Sequence, residues 1–436
     1  MNERPDPPHP PIRQPSGSDR QVPRSILRPL QVFLSTAAAS GTVLLIAAVV
    51  ALVWANSPWG DTYEGFWSTP AELRVGTWAI GDDLRHWVND GLMTLFFLVV
   101  GLEIKREIRT GELRDPRAAT LPVAAAIGGM IVPALIYVAL NAGGTGSAGW
   151  GIPMATDIAF ALGVLVLAAR HAPAGLKPFI LTLAVVDDIG AILVIALFYA
   201  GGVSLGFLAA AAALCGLILL LQRAGVGGMA AFVGLGALVW LAIDESSVHP
   251  AIAGVVLGLL APTEPSRHPR ARSREVVSPL ARLERTLLPW TSFVIIPLFA
   301  LANVGVRLSR EQVVAASTSR VTLGVLLGLV VGKVVGISGA TALTVAMRVA
   351  RLPTGVRPAH LFGASAVAGI GFTVSLFMAE LAFDDELLIT DAKVGILAAS
   401  ILAGSLGWIV LRFSPSVGDA SLAGVGDGET DDPSGH

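Results

Sequence analysis

The sequence predicts an all-α membrane protein of about twelve transmembrane helices, and three observations carry that expectation. The 436 residues are 53% hydrophobic and only 14% charged, whereas a soluble domain has roughly 25% charged residues to wet its surface; the mean hydropathy is +0.70. The apolar residues gather into runs close to the about 20 residues that a helix needs to cross a hydrocarbon core. Basic residues fall on alternate connections between those runs.

The expected spans are Phe33–Ala55, Trp87–Ile104, Leu121–Leu140, Ile152–Ala169, Phe179–Tyr199, Leu205–Leu221, Val226–Ile243, Val248–Leu260, Leu288–Val304, Val321–Met347, Leu361–Leu381 and Val394–Leu411. Each run is apolar all round instead of alternating, which selects helices over barrel strands. Forty-eight glycines suit helices that pack closely in a bilayer. Residues 1–28 and 413–436 are polar and rich in Pro, Gly and Ser, and are expected to be disordered tails around one transmembrane unit, residues 29–412. The 11 residues Ala71–Gly81 carry a weak apolar alternation around Gly76, the pattern of a small β-hairpin in the first outer loop.

With this partition, even-numbered loops and both tails hold 23 of the 30 Lys and Arg residues, odd-numbered loops hold 6, and Lys333 lies inside a helix. The positive-inside rule then puts both termini in the cytoplasm. Lys105, Arg106, Arg109, Arg114 and Arg117 mark one basic loop; Arg267, Arg270, Arg272, Arg274, Arg282 and Arg285 mark another.

Several function classes drop out. A net charge of −2 gives no basic field for nucleic acid. The single cysteine, Cys215, allows neither an internal disulfide nor a cysteine metal site. The chain has no HExxH, no CxxC and no Gly-rich phosphate loop, which argues against an enzyme, an ATP-driven pump or a bound cofactor.

The informative residues are the ionisable ones inside the spans, because a charge at bilayer depth costs at least about 2.5–3.5 kcal/mol. The fifth span, LTLAVVDDIGAILVIALFY, holds Asp187 and Asp188 near its middle. Adjacent helical residues lie about 100° apart, so one carboxylate lines a cavity while the other meets a neighbouring helix. Hard cations take oxygen ligands, and two carboxylates held away from water accept a cation or protons but not both. The tenth span holds Lys333, an ammonium in need of Asp187 or Asp188 as its anion, beside a glycine ladder of Gly324, Gly328, Gly332 and Gly336 that lets a neighbour approach. The fourth span carries Pro153, Thr156 and Asp157; the eleventh carries Gly369, Gly371, Thr373 and Ser375. Both look interrupted, and each is the middle member of a triplet, spans 3–5 and 10–12, the mark of an inverted-repeat transporter. Half-helix ends expose partial charges that an aspartate and a lysine offset.

Asp90 near the outer end of the second span, Glu103, Arg106 and Glu107 at its inner end, and His249 at the start of the eighth complete the candidates. Histidine is the side chain that changes charge near neutral pH, which makes His249 a candidate sensor.

In order along the chain, WVNDGLMTLFFLVVGLEIKREI, AAIGGMIVPALIY, ATDIAFALG, VVDDIGAI, VHPAIAG, RLERTLLPW, LFALANVGV, GKVVGIS and GIGFTVSLF resemble the NhaA family of bacterial Na⁺/H⁺ antiporters over roughly residues 29–412. The family is itself an inverted-repeat transporter family, so the resemblance alone implies that architecture. It implies further that Asp188 is the main Na⁺ ligand, that Asp187 partners Lys333, that Thr156 and Asp157 sit at the break of the fourth span, and that Asp90, Glu103, Arg106, Glu107, His249 and Glu284 belong to the cytoplasmic funnel or the pH response. The implied activity is electrogenic, pH-regulated export of Na⁺ or Li⁺ against inward protons, in the bacterial inner membrane among its lipids, with homodimers through the outer hairpin. Arg285 and Leu288 depart from the pattern, standing where some relatives have histidines beside Glu284.

Overall fold

The structure, a computed structural model, describes residues 24–75, 78–80, 83–168, 173, 175–224, 229–262 and 279–414. The expected tails over 1–23 and 415–436, the hairpin turn at Gly76 and the basic residues Arg267, Arg270, Arg272 and Arg274 lie outside the described residues.

Fifteen α-helical stretches, two 3-10 stretches (the shorter is Glu112–Arg114) and one short hairpin make up the described chain. In order they are α1 (Arg24–Ala55), α2 (Gly60–Trp67), the strands β1 (Leu73–Val75) and β2 (Trp78–Ile80), α3 (Leu84–Thr110) and α4 (Pro116–Asn141). The 3-10 stretch Thr145–Met154 leads into α5 (Ile158–Ala168), then α6 (Leu176–Phe198), α7 (Leu205–Arg223), α8 (Met229–Asp244) and α9 (Ala251–Leu260). The last group is α10 (Arg282–Asn303), α11 (Arg310–Thr318), α12 (Arg320–Ala346), α13 (Pro358–Val367), α14 (Phe372–Ala382) and α15 (Glu386–Phe413).

Among the described residues, seven helices are each long and apolar enough to cross a membrane, and ten segments are if each bent pair counts as one. Every expected span falls on a helix or a bent pair. The shortest, α8 and α9, correspond to the seventh and eighth runs. The first helix begins at Arg24, inside the stretch expected to be a disordered tail. Ile26 and Leu27 extend the apolar run backwards, and Pro29, the sixth helical residue, removes one backbone hydrogen bond from the second turn. The hairpin pairs antiparallel with Leu73 opposite Ile80 and Val75 opposite Trp78.

Large apolar side chains are exposed along the helices, among them Leu45, Ile46 and Val53 on α1 and Leu197 and Phe198 on α6. Such an outer surface is unstable against water and stable against hydrocarbon. The main buried cluster joins α1, α3–α6, α10 and α12–α15; a smaller one holds α7 and α8 to α9 through Ile218, Val239 and Leu257.

Glycines decide two of the closest packings. At Gly101, Gly254 and Gly258 the backbones of α3 and α9 meet without side chains between them. The ladder Gly324, Gly328, Gly332 and Gly336 of α12 faces α4: a Cβ on these residues would meet Asn141 and Tyr137, Pro133 and Pro153, Pro133 again, and Gly128 in turn. This is the close approach that small residues permit in place of hydrophobic driving force inside a membrane.

Two helices are interrupted in matching fashion. Thr145–Met154 and α5 meet at a bend of 46° across 155–157, and α13 and α14 meet at 46° across 368–371. The two breaks lie against each other: the Asp157 N–H donates to the Ile370 carbonyl at 2.6 Å and the Ser375 hydroxyl to the Ile152 carbonyl at 2.8 Å. Non-helical backbone at this depth leaves polar groups that only protein can satisfy, and each break satisfies the other.

Candidate functional site

Asp157 sits where the breaks cross. It is the residue before α5, and its Oδ1 accepts the N–H of Phe160 at 3.1 Å, an N-cap. Its Oδ2 accepts both the N–H of Thr373 at 3.1 Å and the Thr373 hydroxyl at 2.7 Å. One carboxylate therefore caps two half-helix N-termini, α5 and α14, whose partial positive charges favour an anion there.

The preceding residue, Thr156, turns the other way. Its Oγ1 lies 2.7 Å from Asp187 Oδ2 and 2.9 Å from the Ala368 carbonyl, and accepts from Lys333 Nζ at 2.9 Å. Its single proton serves one of the two oxygens at a time. Lys333 Nζ also donates to Asp187 Oδ2 at 2.7 Å. Both side chains are fully enclosed. A π-helical turn, Gly328–Gly332, immediately precedes Lys333 on α12, and such turns concentrate at functional sites. The other carboxylate oxygen, Asp187 Oδ1, is buried with no hydrogen-bond partner among the described residues.

Asp188 is about 100° further round α6 and faces elsewhere. It is 6% exposed and lines a cavity of about 80 Å³ together with Glu103 of α3, Thr156, Asp157, Thr373, Ser40 of α1, and Thr291 of α10. Among the described residues no side chain or backbone N–H donates to its carboxylate. Phe96, Val99, Leu288 and Ile296 form the apolar wall. The two neighbouring aspartates thus have different surroundings. Asp187 is held by a cation, while Asp188 looks into an oxygen-lined space with its ligand positions free. Three carboxylates and the hydroxyls of Ser40, Thr156, Thr291 and Thr373 around so small a space suit a hard monovalent cation with a few waters, each water taking about 30 Å³.

The remaining candidates divide between two places. At one end of α3, Asp90 lies in a π-helical turn, Trp87–Leu92. Its Oδ2 is 3.1 Å from His86 Nε2 and its Oδ1 is 3.4 Å from His249 Nε2. The His249 Nδ1 accepts the Ala251 N–H at 3.2 Å, so in the neutral ring the proton sits on Nε2 and points at Asp90. The same ring packs edge-on against Phe377 of α14. Between four and five turns further along α3, about 24 Å away, Arg106 pairs with Glu284 of α10. Glu107 is buried and accepts the Glu112 N–H at 2.8 Å and the Thr182 hydroxyl of α6 at 3.2 Å. Asp90 and His249 therefore share no contact with Glu103, Arg106, Glu107 and Glu284.

Four residues of these clusters were not singled out from the sequence: Ser40, Thr182, His86 and Thr291. Ser40 and Thr182 are isolated hydroxyls in apolar runs, Thr291 stands beside Ser292 and His86 beside Arg85, and the one available signal was distance from an acid, as with Thr182 ahead of Asp187.

The sequence family described as Na⁺/H⁺ antiporter 1 matches residues 31–411. A protein of Syntrophobacter fumaroxidans named Na(+)/H(+) antiporter NhaA is 45% identical over 428 residues, 89% of this chain and 91% of the relative. Na(+)/H(+) antiporter NhaA 2 of Sorangium cellulosum is 44% identical over 90% of this chain and 92% of its own length. One from Acidovorax sp., named Na(+)/H(+) antiporter NhaA, is 48% identical over 85% and 88%. With its apolar outer surface, crossed broken helices and a family match that runs almost from end to end, this all-α, multi-pass membrane protein belongs to the Na⁺/H⁺ antiporter 1 family.

Proposed function

We propose that the protein exchanges Na⁺ or Li⁺ for protons across the bacterial inner membrane, and that Asp188 is the group at which the two compete. The observation that carries this reading is the contrast between adjacent aspartates: Asp187 neutralised by Lys333, Asp188 buried on the cavity with no protein donor. A carboxylate without donors gains a partner only by binding a proton or a cation, and it binds one at a time. Asp157 and Thr156 supply further oxygen to the ion, and their place at the crossing ties occupancy to the half-helices. Rocking of one bundle against the other then exposes the loaded site to the opposite face, as in transporters built from inverted repeats. More than one proton moves per Na⁺ when Asp187 and Lys333 also exchange theirs, which makes transport electrogenic.

The bias of basic residues supports cytoplasmic termini, with Glu103, Arg106, Glu107 and Glu284 on the inner side and Asp90, His86 and His249 on the outer. The histidine-flanked Asp90 and the Glu–Arg cluster are the groups through which pH regulates the cycle. The free strand edges of the hairpin are where a second copy would pair. A cavity of about 80 Å³ disfavours an organic solute as cargo.

The test is purified protein in liposomes with a dye for lumenal pH. Addition of Na⁺ outside should move protons in the opposite direction, and Asp188→Asn should abolish the movement. A Na⁺ leak driven by voltage alone, without coupled proton flux, would show a channel instead.

A further inference from the structure

Helices α3 and α6 pack against each other and are joined by one hydrogen bond, from the Thr182 hydroxyl to Glu107 Oε1 at 3.2 Å. Glu103 lies one turn before Glu107 on α3, about 6 Å along the axis, and Asp188 lies six residues after Thr182 on α6, about 9 Å along. Both are on the wall of the same cavity. The two helices therefore run antiparallel here and form two rungs: Glu107 bonded to Thr182, and next to it Glu103 facing Asp188 across empty space.

Thr182 is among the helical threonines, with Thr322 and Thr373, whose hydroxyls bond outside their own helices. Thr291, Thr341 and Thr344 return their hydroxyls to the carbonyl four residues back in their own helices, the usual resort in apolar surroundings. The Thr182 hydroxyl leaves its helix and crosses to an acid on another. The acid is held in turn: the same Glu107 oxygen takes the Glu112 N–H at 2.8 Å, and the carboxylate lies against Gly111, where a Cβ would collide with it. The end of α3, its following turn and α6 are thus fixed at one point, one rung from the cavity.

We infer that Thr182 is a positioning residue for the Asp188 site: through Glu107 it sets the separation of Asp188 from Glu103 and so the affinity for the transported cation. The inference rests on the reading that Asp188 takes Na⁺. Asp188 has no donor of its own to fix it, so its place relative to Glu103 is the place of α6 relative to α3. Oxygen sites for hard cations discriminate by ligand distance, and a gap that wanders binds less well than one that is held.

The experiment uses full-length protein in liposomes at one fixed pH, measuring the Na⁺ concentration for half-maximal exchange and, separately, thermal unfolding. Thr182→Val keeps the shape and removes the hydroxyl, and Thr182→Ala removes it with more room. Each should raise the half-maximal Na⁺ concentration by roughly three- to tenfold, and Thr182→Ser should restore it. An unchanged Na⁺ dependence in Thr182→Val, with or without a lower melting temperature, overturns the inference. So does failure of Thr182→Ser to rescue, or loss of assembly in both hydroxyl-free variants while Thr182→Ser assembles, which would make the hydroxyl a folding element only. Asp188→Asn run in parallel separates the two readings: if that variant still exchanges Na⁺, the assignment of Asp188 fails whatever Thr182 does.

Discussion

Lys333 Nζ lies 2.7 Å from Asp187 Oδ2 with both side chains wholly out of solvent, the most deeply placed ion pair among the described residues. Removing one partner leaves a buried charge without its counterion, at a cost of about 3–5 kcal/mol. Lys333→Ala is expected to lower the melting temperature in detergent markedly. Asp187→Asn combined with Lys333→Gln, which removes both charges, should recover most of that loss. If the double variant is no more stable than Lys333→Ala, the pair is not what holds α6 to α12.

Asp188 carries the opposite expectation. With no protein donor on its carboxylate, Asp188→Asn should melt within a few tenths of a kcal/mol of the parent, roughly the effect of a substitution that breaks no contact. It should bind no Na⁺. In the parent, apparent Na⁺ affinity should weaken as pH falls, because each bound proton removes a site for the cation. Calorimetric titration with Na⁺ at several pH values measures this; an affinity constant across pH would rule out competition at one carboxylate.

Thr373 connects α14 to Asp157 by its hydroxyl at 2.7 Å and its N–H at 3.1 Å. Thr373→Val deletes only the hydroxyl bond, about 1.5–3 kcal/mol for a hydrogen bond to a charged group. Asp157→Ala deletes the caps of both half-helices, each about 0.5–2 kcal/mol, and should cost more. Thr373→Ser should stand close to the parent. Equal melting of Thr373→Val and the parent would mean that the crossing is held by backbone contacts alone.

Gly336 and Gly339 on α12 make an internal comparison. A Cβ at Gly336 meets the Gly128 backbone, while at Gly339 nothing lies within 4 Å. Gly336→Ala should force α12 from α4 and cost about 1–3 kcal/mol, whereas Gly339→Ala should be neutral or stabilise by up to about 1 kcal/mol through helix propensity. Melting curves of the two proteins decide it, and equal losses would discard the close approach of α4 and α12 as the cause.

Much of this architecture was legible without coordinates. Apolar runs of spanning length fix where helices lie, because a bilayer leaves the backbone no other way to satisfy itself. The same physics makes Asp157, Asp187, Asp188 and Lys333 conspicuous: a charge in such a run is costly enough to demand a reason. Pro153 with Thr156 and Asp157, and the pair Gly369 and Gly371, marked the two helices that the structure interrupts at 155–157 and 368–371. The glycine ladder announced a close neighbour but not which one.

Tertiary structure decided the pairings. The sequence offered Lys333 two aspartates; the rotation of α6 against α4 and α12 gave it Asp187 and left Asp188 to the cavity. Asp157 could be read as the cap of its own helix, but its second capped helix, α14, lies more than two hundred residues away and enters through the crossing. Asp90 and Glu103 were already at opposite ends of one span in the sequence, but only the packing showed that His86 and His249 flank Asp90. Thr182 found Glu107 only by the packing of α3 on α6. The reason is common to all four. In a helix apolar on every face, hydrophobic patterning no longer says which side meets lipid and which meets protein, so the sequence fixes the depth of a residue in the membrane and only packing fixes what it faces.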